Sequence, residues 1–322
     1  MNSIRVHKTG GPEVLRIEEV PDPTPGPGEL VVNIEAIGLN FIEIYQREGL
    51  YTVQRPFTPG SEAAGTVRAL GSGVTDIKVG DRVVSHSMRG AYASRAVVAA
   101  DRVVKIPEGV TTKVAAAVFL QGLTAHYLTT STYPLKMGDS CLVHAAAGGV
   151  GLLLCQIAKM KGAFVIATAS TPEKLELARG AGADETINYT SRDFAAEVKR
   201  ITGDAGVSVV YDSVGRATFE GSLNCLRRRG MLTLFGQSSG PVPPIDPQIL
   251  NRKGSLFLTR PTLNDYVATR EELATRSNEL FGWVKEGALK VRIGVEFPLV
   301  RAADAHRAVA GRKTTGKVVL IP

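Results

Sequence analysis

The chain has 322 residues, 44% of them apolar and 21% charged, with 38 basic and 31 acidic side chains for a formal charge of +7. That composition excludes a disordered or fibrous chain and leaves room for two globular domains. The positive excess is scattered, its densest cluster being Arg227-Arg228-Arg229, which argues against nucleic acid as the main partner and fits a modest attraction for an anionic cofactor.

Three cysteines, Cys141, Cys155 and Cys225, are too few and too widely spaced for a disulfide framework or a metal-binding pair, and read as buried thiols. The opening MNSIRVHKTGG has no apolar core of a secretory signal, and no apolar run approaches the ~18 residues of a membrane span. A cytoplasmic protein with no membrane partner is expected.

Residues 1 to about 120 read as β-rich. Runs such as Leu30–Ile34 and Gly65–Leu70 alternate or are β-branched, and turn clusters at Pro21–Gly28, Gly71–Gly73 and Val79–Asp81 separate them, so a bent sheet or small barrel is predicted. From Cys141 the pattern becomes alternating. Strands are predicted at Cys141–His144, Phe164–Ala169, Glu185–Asn188, Val207–Asp212, Met231–Phe235 and Ser255–Leu258. Helices are predicted between them at Gly151–Lys161, Pro172–Gly180, Asp193–Thr202 and Ala217–Leu226. Repeated βα units make a parallel, doubly wound sheet. After Pro261 come a long helix over Asp265–Gly287 with a break near Thr275, a strand at Gly294–Phe297, a helix at Ala302–Ala310 and a last strand at Lys317–Ile321. This tail is too small for a core of its own and is expected to return to the first domain. The fold class is α/β, with a cofactor domain at 125–262 inserted between two parts, 1–124 and 263–322, of a β-rich domain.

The junction His144-Ala145-Ala146-Ala147-Gly148-Gly149-Val150-Gly151 follows a predicted strand and opens a predicted helix. Backbone amides at a helix start, together with the helix dipole, favour an anion, and small residues let the backbone approach a pyrophosphate. The dinucleotide fingerprint G-x-G-x-x-G is met at Gly148 and Gly151, with Ala146 in place of the first glycine. NAD sites usually carry an acid at the end of the second strand for the ribose diol. Here that strand ends Ala167-Thr168-Ala169-Ser170, and Glu173 is already inside the next helix. Ser170 and Lys174 suit a 2′-phosphate, which favours NADPH, although Lys174 reads equally well as a solvated helix lysine.

These residues, with Gly60–Gly65 (GSEAAG), Gly80–Val83 (GDRV), Phe119–Tyr127 (FLQGLTAHY), Val209–Gly215 (VVYDSVG), Asn40–Tyr51 and Phe235–Gly240, resemble the zinc-independent, zeta-crystallin-like NADPH:quinone oxidoreductases of the medium-chain dehydrogenase/reductase superfamily. The resemblance runs over essentially the whole chain. It implies a GroES-like catalytic domain, a Rossmann NADPH domain, an active site in the cleft between them, and a homodimer paired through the cofactor domains at the Ser255–Leu258 edge. It implies catalytic roles for Asn40, Tyr45 and Tyr51 as hydrogen-bond donors. It implies cofactor contacts from Asn40, Phe41, Tyr45, Tyr127 and the turn Gly148, Gly149, Val150, Gly151. Ser170, Lys174 and Tyr189 would surround the 2′-phosphate. Phe235, Gly236, Gln237, Ser238, Ser239, Pro261, Thr262 and Leu263 would line the nicotinamide side, with Arg312 a further contact.

Zinc-using relatives hold their metal with Cys and His. Here the first such stretch reads Gly38-Leu39-Asn40-Phe41 and the second Gly60-Ser61-Glu62, and the five histidines lack ligand spacing, so no metal is expected. Glu62 then reads as structural or as an acceptor behind the site. Without a Lewis acid an unactivated ketone is a poor substrate, whereas a quinone is already electrophilic and becomes aromatic on reduction. The expected activity is NADPH-dependent quinone reduction, by one- or two-electron transfer. The rivals are an NADPH-dependent enone or 2-alkenal reductase and a non-catalytic NADPH-binding protein with a structural or RNA-binding role.

Overall fold

The computed structural model describes residues 1–322. The chain forms two compact units, one made of Met1–Leu123 with Ala268–Pro322, the other of Thr124–Val267. In chain order the first unit begins with β1 (Asn2–Arg5), β2 (Arg16–Glu19), β3 (Glu29–Leu39), α1 (Phe41–Glu48), β4 (Glu62–Leu70), β5 (Arg82–Ser85), β6 (Arg95–Ala99) and β7 (Val104–Lys105). Helix α2 (Thr112–Tyr127) carries the boundary to the second unit. The second unit holds β8 (Ser140–Val143), α3 (Gly149–Met160), β9 (Phe164–Ala169), α4 (Pro172–Gly180), β10 (Glu185–Asn188), α5 (Phe194–Thr202), β11 (Val207–Asp212), α6 (Phe219–Cys225), β12 (Leu226–Leu234), α7 (Gln248–Arg252), β13 (Phe257–Thr259) and α8 (Leu263–Tyr266). Helix α9 (Arg270–Lys285), β14 (Ile293–Pro298), α10 (Ala302–Ala310) and β15 (Lys317–Ile321) complete the first unit.

The first unit is built on a seven-stranded sheet ordered β14-β15-β3-β4-β5-β7, with β6 also pairing β3. Strand β3 carries most of it. Register shifts against β4 at Val31/Val32 and Ile34/Ala36 bend the strand, so it pairs with β6 near its start and with β15 near its end. Its side chains Leu30, Val32, Ile34, Ile37 and Leu39 join Val318 and Leu320 of β15 and Ala302, Ala305 and Val309 of α10 in one buried core.

The second unit is a six-stranded, fully parallel sheet ordered β10-β9-β8-β11-β12-β13. Renumbered within the unit this is the order 3-2-1-4-5-6, which reverses between β8 and β11 and opens a crevice at the carboxyl ends of those strands. Every residue of β11 is buried, as expected for a strand covered on both faces. Asp193 caps α5 through its carboxylate, which accepts the Ala195 amide at 2.8 Å, and Gly203 ends that helix in the left-handed conformation (φ 55°).

Two expectations shift. The break in the long C-terminal helix falls at Val267–Thr269, between α8 and α9, and not at Thr275, which lies inside α9. Thr269 and Glu272 form a reciprocal cap that starts α9 afresh. Strand β12 starts at Leu226 rather than Met231; Arg227–Arg229 form its exposed, bulged opening, where Arg229 takes φ 59° and the register to β11 slips. No helix is long and apolar enough to cross a membrane.

Candidate active site

Strand β8 hands the chain through His144 to the turn Ala145–Gly148, and α3 begins at Gly149. The left-handed step of the turn falls on Ala145 (φ 50°), so the alanine that replaces the fingerprint's first glycine, Ala146, is not in that strained conformation. Gly148 is the N-cap, with extended backbone and no side-chain cap. The first intrahelical bond is donated by the Leu152 amide to the Gly148 carbonyl at 3.0 Å. The amides of Gly149, Val150 and Gly151 therefore have no intrahelical acceptor, and the helix dipole adds to their attraction for an anion. Gly151 has a different task. A Cβ there would lie 2.4 Å from the Ala145 carbonyl oxygen and 2.7 Å from the Ala146 Cα, so α3 can seat on the loop only with glycine at that point.

At the ends of β9 and β10, the Tyr189 amide donates to the Ala169 carbonyl at 3.2 Å, which sets Tyr189 beside Ser170. Thr171 caps α4 by accepting the Lys174 amide, putting Lys174 in the helix's first turn. Tyr189 is exposed, and Ser170 and Lys174 are half-buried. A hydroxyl, a phenol and an ammonium, with no carboxylate closing β9, match an added phosphate better than a bare ribose diol.

The turns after β11 and β12 interlock. Phe235 and Gly236 donate their amides to the Asp212 carbonyl (2.9 and 3.3 Å), Ser238 donates to Ser213, and Ser239 to Val214. A Cβ on Gly236 would sit 2.6 Å from the Ser213 carbonyl oxygen, so the two turns touch backbone to backbone. Gln237 lies on the same loop. Pro261, Thr262 and Leu263 follow β13, with Thr262 at the N-cap of α8. Tyr127 is enclosed, 1% exposed, and stacks on Tyr266 with ring centroids 4.2 Å apart, its hydroxyl pushed well above the usual phenol range by burial. Gly148, Gly149, Val150, Gly151, Ser170, Tyr189 and Phe235–Ser239 thus gather at the carboxyl edge of one sheet.

In the first unit Asn40 follows β3, caps α1 and is 6% exposed. Its side-chain amide donates to the Gly38 carbonyl (3.1 Å) and to Glu62 (2.8 Å). Its side-chain oxygen accepts from Gln121 (3.3 Å) and from Lys317 (2.8 Å). Lys317, 1% exposed, also donates to Glu62 at 2.5 Å, and Glu62 accepts the Leu120 amide at 2.6 Å. Glu43 closes the cap by accepting the Asn40 amide at 2.7 Å; its other oxygen is buried without a partner. Burial pushes the Glu43 carboxyl up to about 8, against the pull of the Lys317 ammonium and the Asn40 amide.

Both N–H groups of the Asn40 amide thus point inward, toward Gly38 and Glu62. One turn on, Tyr45 packs between Phe41 (6.0 Å) and Tyr51 (5.4 Å, edge-on). Tyr45 is buried and Tyr51 exposed. Arg312, exposed and at φ 56°, follows α10 in the same unit.

Sequence reasoning pointed to Glu62 but missed Lys317, whose only signal is a lysine opening an otherwise apolar strand. Two histidines of this unit are buried: His306 lies between Arg47 and the Tyr92 hydroxyl, each at 3.1 Å, and burial holds His86 down at about 4, while His7 is exposed beside Glu18. No group of three or more His, Cys, Asp or Glu side chains is placed to hold a metal ion.

Comparison with known proteins agrees with this architecture. Residues 26–108 match the alcohol dehydrogenase GroES-like domain family and residues 149–274 the zinc-binding dehydrogenase family. The chain is 48% identical to the Pseudomonas aeruginosa quinone oxidoreductase, over 97% of each. It is 43% identical to a 2-haloacrylate reductase of a Burkholderia species, over 98% of each. A mycobacterial protein solved in complex with NADPH superimposes with a TM-score of 0.98 at 51% identity, each chain fully covered.

Proposed function

This chain belongs to the quinone oxidoreductase family, and from that membership we propose how its residues divide the work. The protein is an NADPH-dependent quinone reductase. The observation that carries this reading is the row of free amides at Gly149–Gly151, with Ser170, Lys174 and Tyr189 at the neighbouring strand ends. NADPH, when bound, supplies the reducing hydride.

The Gly149 and Val150 amides hold the pyrophosphate, Gly148 leaves room for it, and Gly151 seats the helix. Ser170, Lys174 and Tyr189 hold the 2′-phosphate and so select against NADH. Phe235, Gly236, Gln237, Ser238 and Ser239, together with Pro261, Thr262 and Leu263, orient the nicotinamide side. Tyr127, Arg312, Asn40, Phe41 and Tyr45 complete the cofactor contacts.

A quinone needs little activation, because accepting reducing equivalents makes its ring aromatic. The Tyr45 and Tyr51 hydroxyls donate hydrogen bonds to the oxygen on which negative charge develops. Asn40 contributes by position: its side-chain N–H groups are committed to Gly38 and Glu62, and it sets the start of α1 that carries Tyr45. Water supplies the proton to a weakly basic phenolate. No metal is assigned a part, because Gly38–Phe41 offers no cysteine, Ser61 stands where zinc-using relatives carry histidine, and the Lys317 ammonium sits on Glu62.

The protein works in the cytoplasm as a homodimer. Strand β13 ends the parallel sheet with one edge unpaired and Phe257 56% exposed, which suits continuation of the sheet into a second copy. Nucleic acid has no role in this reading.

The similarity to a 2-haloacrylate reductase supports a second reading, reduction of an activated carbon–carbon double bond with Tyr45 or Tyr51 as proton donor. The test is NADPH oxidation followed in parallel with 1,4-benzoquinone, 9,10-phenanthrenequinone and a 2-alkenal. Turnover with the quinones is expected. Turnover with the alkenal alone selects the second reading, and tight NADPH binding without any turnover selects a non-catalytic protein.

A further inference from the structure

The segments assigned above to NADPH hang from one buried chain of side chains that the catalytic scheme does not use. His144, Thr168, Asp212 and Ser222 are each at most 2% exposed and stand at the carboxyl ends of β8, β9 and β11 and on α6. The Ser222 hydroxyl donates to Asp212 Oδ2 at 2.8 Å. With that proton committed, Ser222 Oγ accepts from His144 Nε2–H at 3.0 Å. His144 Nδ1 is then the ring's acceptor and takes the Thr168 hydroxyl at 2.9 Å. Burial holds the imidazole below its ordinary value, against the pull of Asp212, so the ring is neutral, as this pattern requires.

Each end of the chain reaches a cofactor segment through the backbone. The Thr168 carbonyl accepts the Ala146 amide of the phosphate turn at 3.0 Å, and Ser170 lies two residues further on. Asp212 Oδ1 accepts the amides of Val214 (2.7 Å) and Gly215 (3.0 Å), shaping the turn against which Phe235–Gly240 lock. The Asp212 carbonyl takes the Phe235 and Gly236 amides directly. Phe194 of α5 meets the His144 ring edge-on, at 4.8 Å between centroids, and fixes its plane.

We propose that His144 is a positioning residue for the cofactor: through Thr168 on one side and Ser222 and Asp212 on the other, it sets the pyrophosphate turn and the nicotinamide-side loop at the spacing NADPH requires. The inference rests on the NADPH reading of the site. It gives His144 a role distinct from packing, because a ring that only fills space could be replaced by an apolar side chain without changing affinity.

The experiment measures NADPH dissociation constants by the cofactor's fluorescence, alongside melting temperatures, for the wild type, His144→Leu, His144→Gln, Ser222→Ala and Val198→Ala. Val198 is fully buried in the same core but lies on α5, outside the chain of hydrogen bonds, and its truncation reports on general loosening. His144→Leu is expected to weaken NADPH about tenfold, equivalent to ~1.4 kcal/mol. Glutamine offers one acceptor and one donor and should recover most of that loss. Ser222→Ala should weaken binding in the same direction, and Val198→Ala should lower the melting temperature with affinity unchanged. Wild-type affinity in folded His144→Leu would overturn the inference, as would equal losses in His144→Leu and Val198→Ala. Should His144→Leu fail to fold, His144→Gln and Ser222→Ala decide: near-wild-type binding in the first with weakened binding in the second supports the inference, and any other combination overturns it. A wild-type protein that bound no NADPH would instead sink the cofactor reading, and this inference with it.

Discussion

Replacing Glu43 by glutamine should make the protein more stable the higher the pH. Glu43 is fully buried, one carboxyl oxygen has no partner, and the other accepts the Asn40 amide. Desolvation is the largest influence and moves the group from its ordinary 4.5 to about 8, while Lys317 and the Asn40 amide oppose the rise and Glu62 adds to it. Because the folded state holds the proton more tightly than the unfolded chain, wild-type stability falls as the pH rises from 4.5 to about 8. At ~1.4 kcal/mol per pH unit, the full span comes to about 5 kcal/mol.

Glutamine keeps an oxygen for the Asn40 amide and cannot ionise. Its N–H groups gain no acceptor at the orphaned position, which costs about 1–3 kcal/mol at every pH. Urea unfolding of both proteins at pH 5, 6, 7 and 8 isolates the effect, since every other titrating group is common to the two and cancels in the difference. The stability of Glu43→Gln relative to wild type should climb steadily through this series and level off above pH 8. A difference independent of pH would refute the argument, because it would mean that Glu43 ionises in the folded protein as readily as in the unfolded chain.

Lys317→Met should destabilise the protein by about 3–5 kcal/mol, since it leaves Glu62 buried and uncompensated. Adding Glu62→Gln should return part of that loss, and a double-mutant cycle in urea showing strict additivity would deny the pair its coupling. Gly151→Ala should lower the melting temperature far more than Gly148→Ala, because the new Cβ meets Ala145 and Ala146 backbone at 2.4 and 2.7 Å in the first case and only the Ala145 oxygen at 3.1 Å in the second; thermal denaturation ranks them. Lys174→Ala should raise the KM for NADPH about tenfold or more, the loss of a charged contact, with little change for NADH. Equal effects on the two cofactors would remove Lys174 from the 2′-phosphate.

Much of this was legible because it is local. The βα alternation and the small-residue turn after β8 are carried by neighbouring residues and predict the elements that form, and the missing acid after β9, equally local, bears on the choice of dinucleotide. The Thr269–Glu272 cap was equally local, a Thr-x-x-Glu pattern, and reading it would have placed the helix break correctly. Lys317 was not legible in that way. Its partner Glu62 is 255 positions away, and it takes the pairing of β15 with β3 and of β3 with β4 to bring them together. The role of His144 was hidden for the same reason: Thr168 and Ser222, with Asp212 behind Ser222, come to it from separate strands and a helix, at separations no periodicity records. Ala145 shows the reverse limit, a strained backbone at a residue type that gives no warning.

The central question is whether the dinucleotide delivers its electrons to a quinone with no metal to help. The direct test is the rate of NADPH oxidation with 9,10-phenanthrenequinone by protein exhaustively dialysed against a strong chelator, with metal content assayed on the same sample. Undiminished turnover by metal-free protein is the expected result. Loss of turnover that added zinc restores, or no oxidation of NADPH by any quinone, would contradict it.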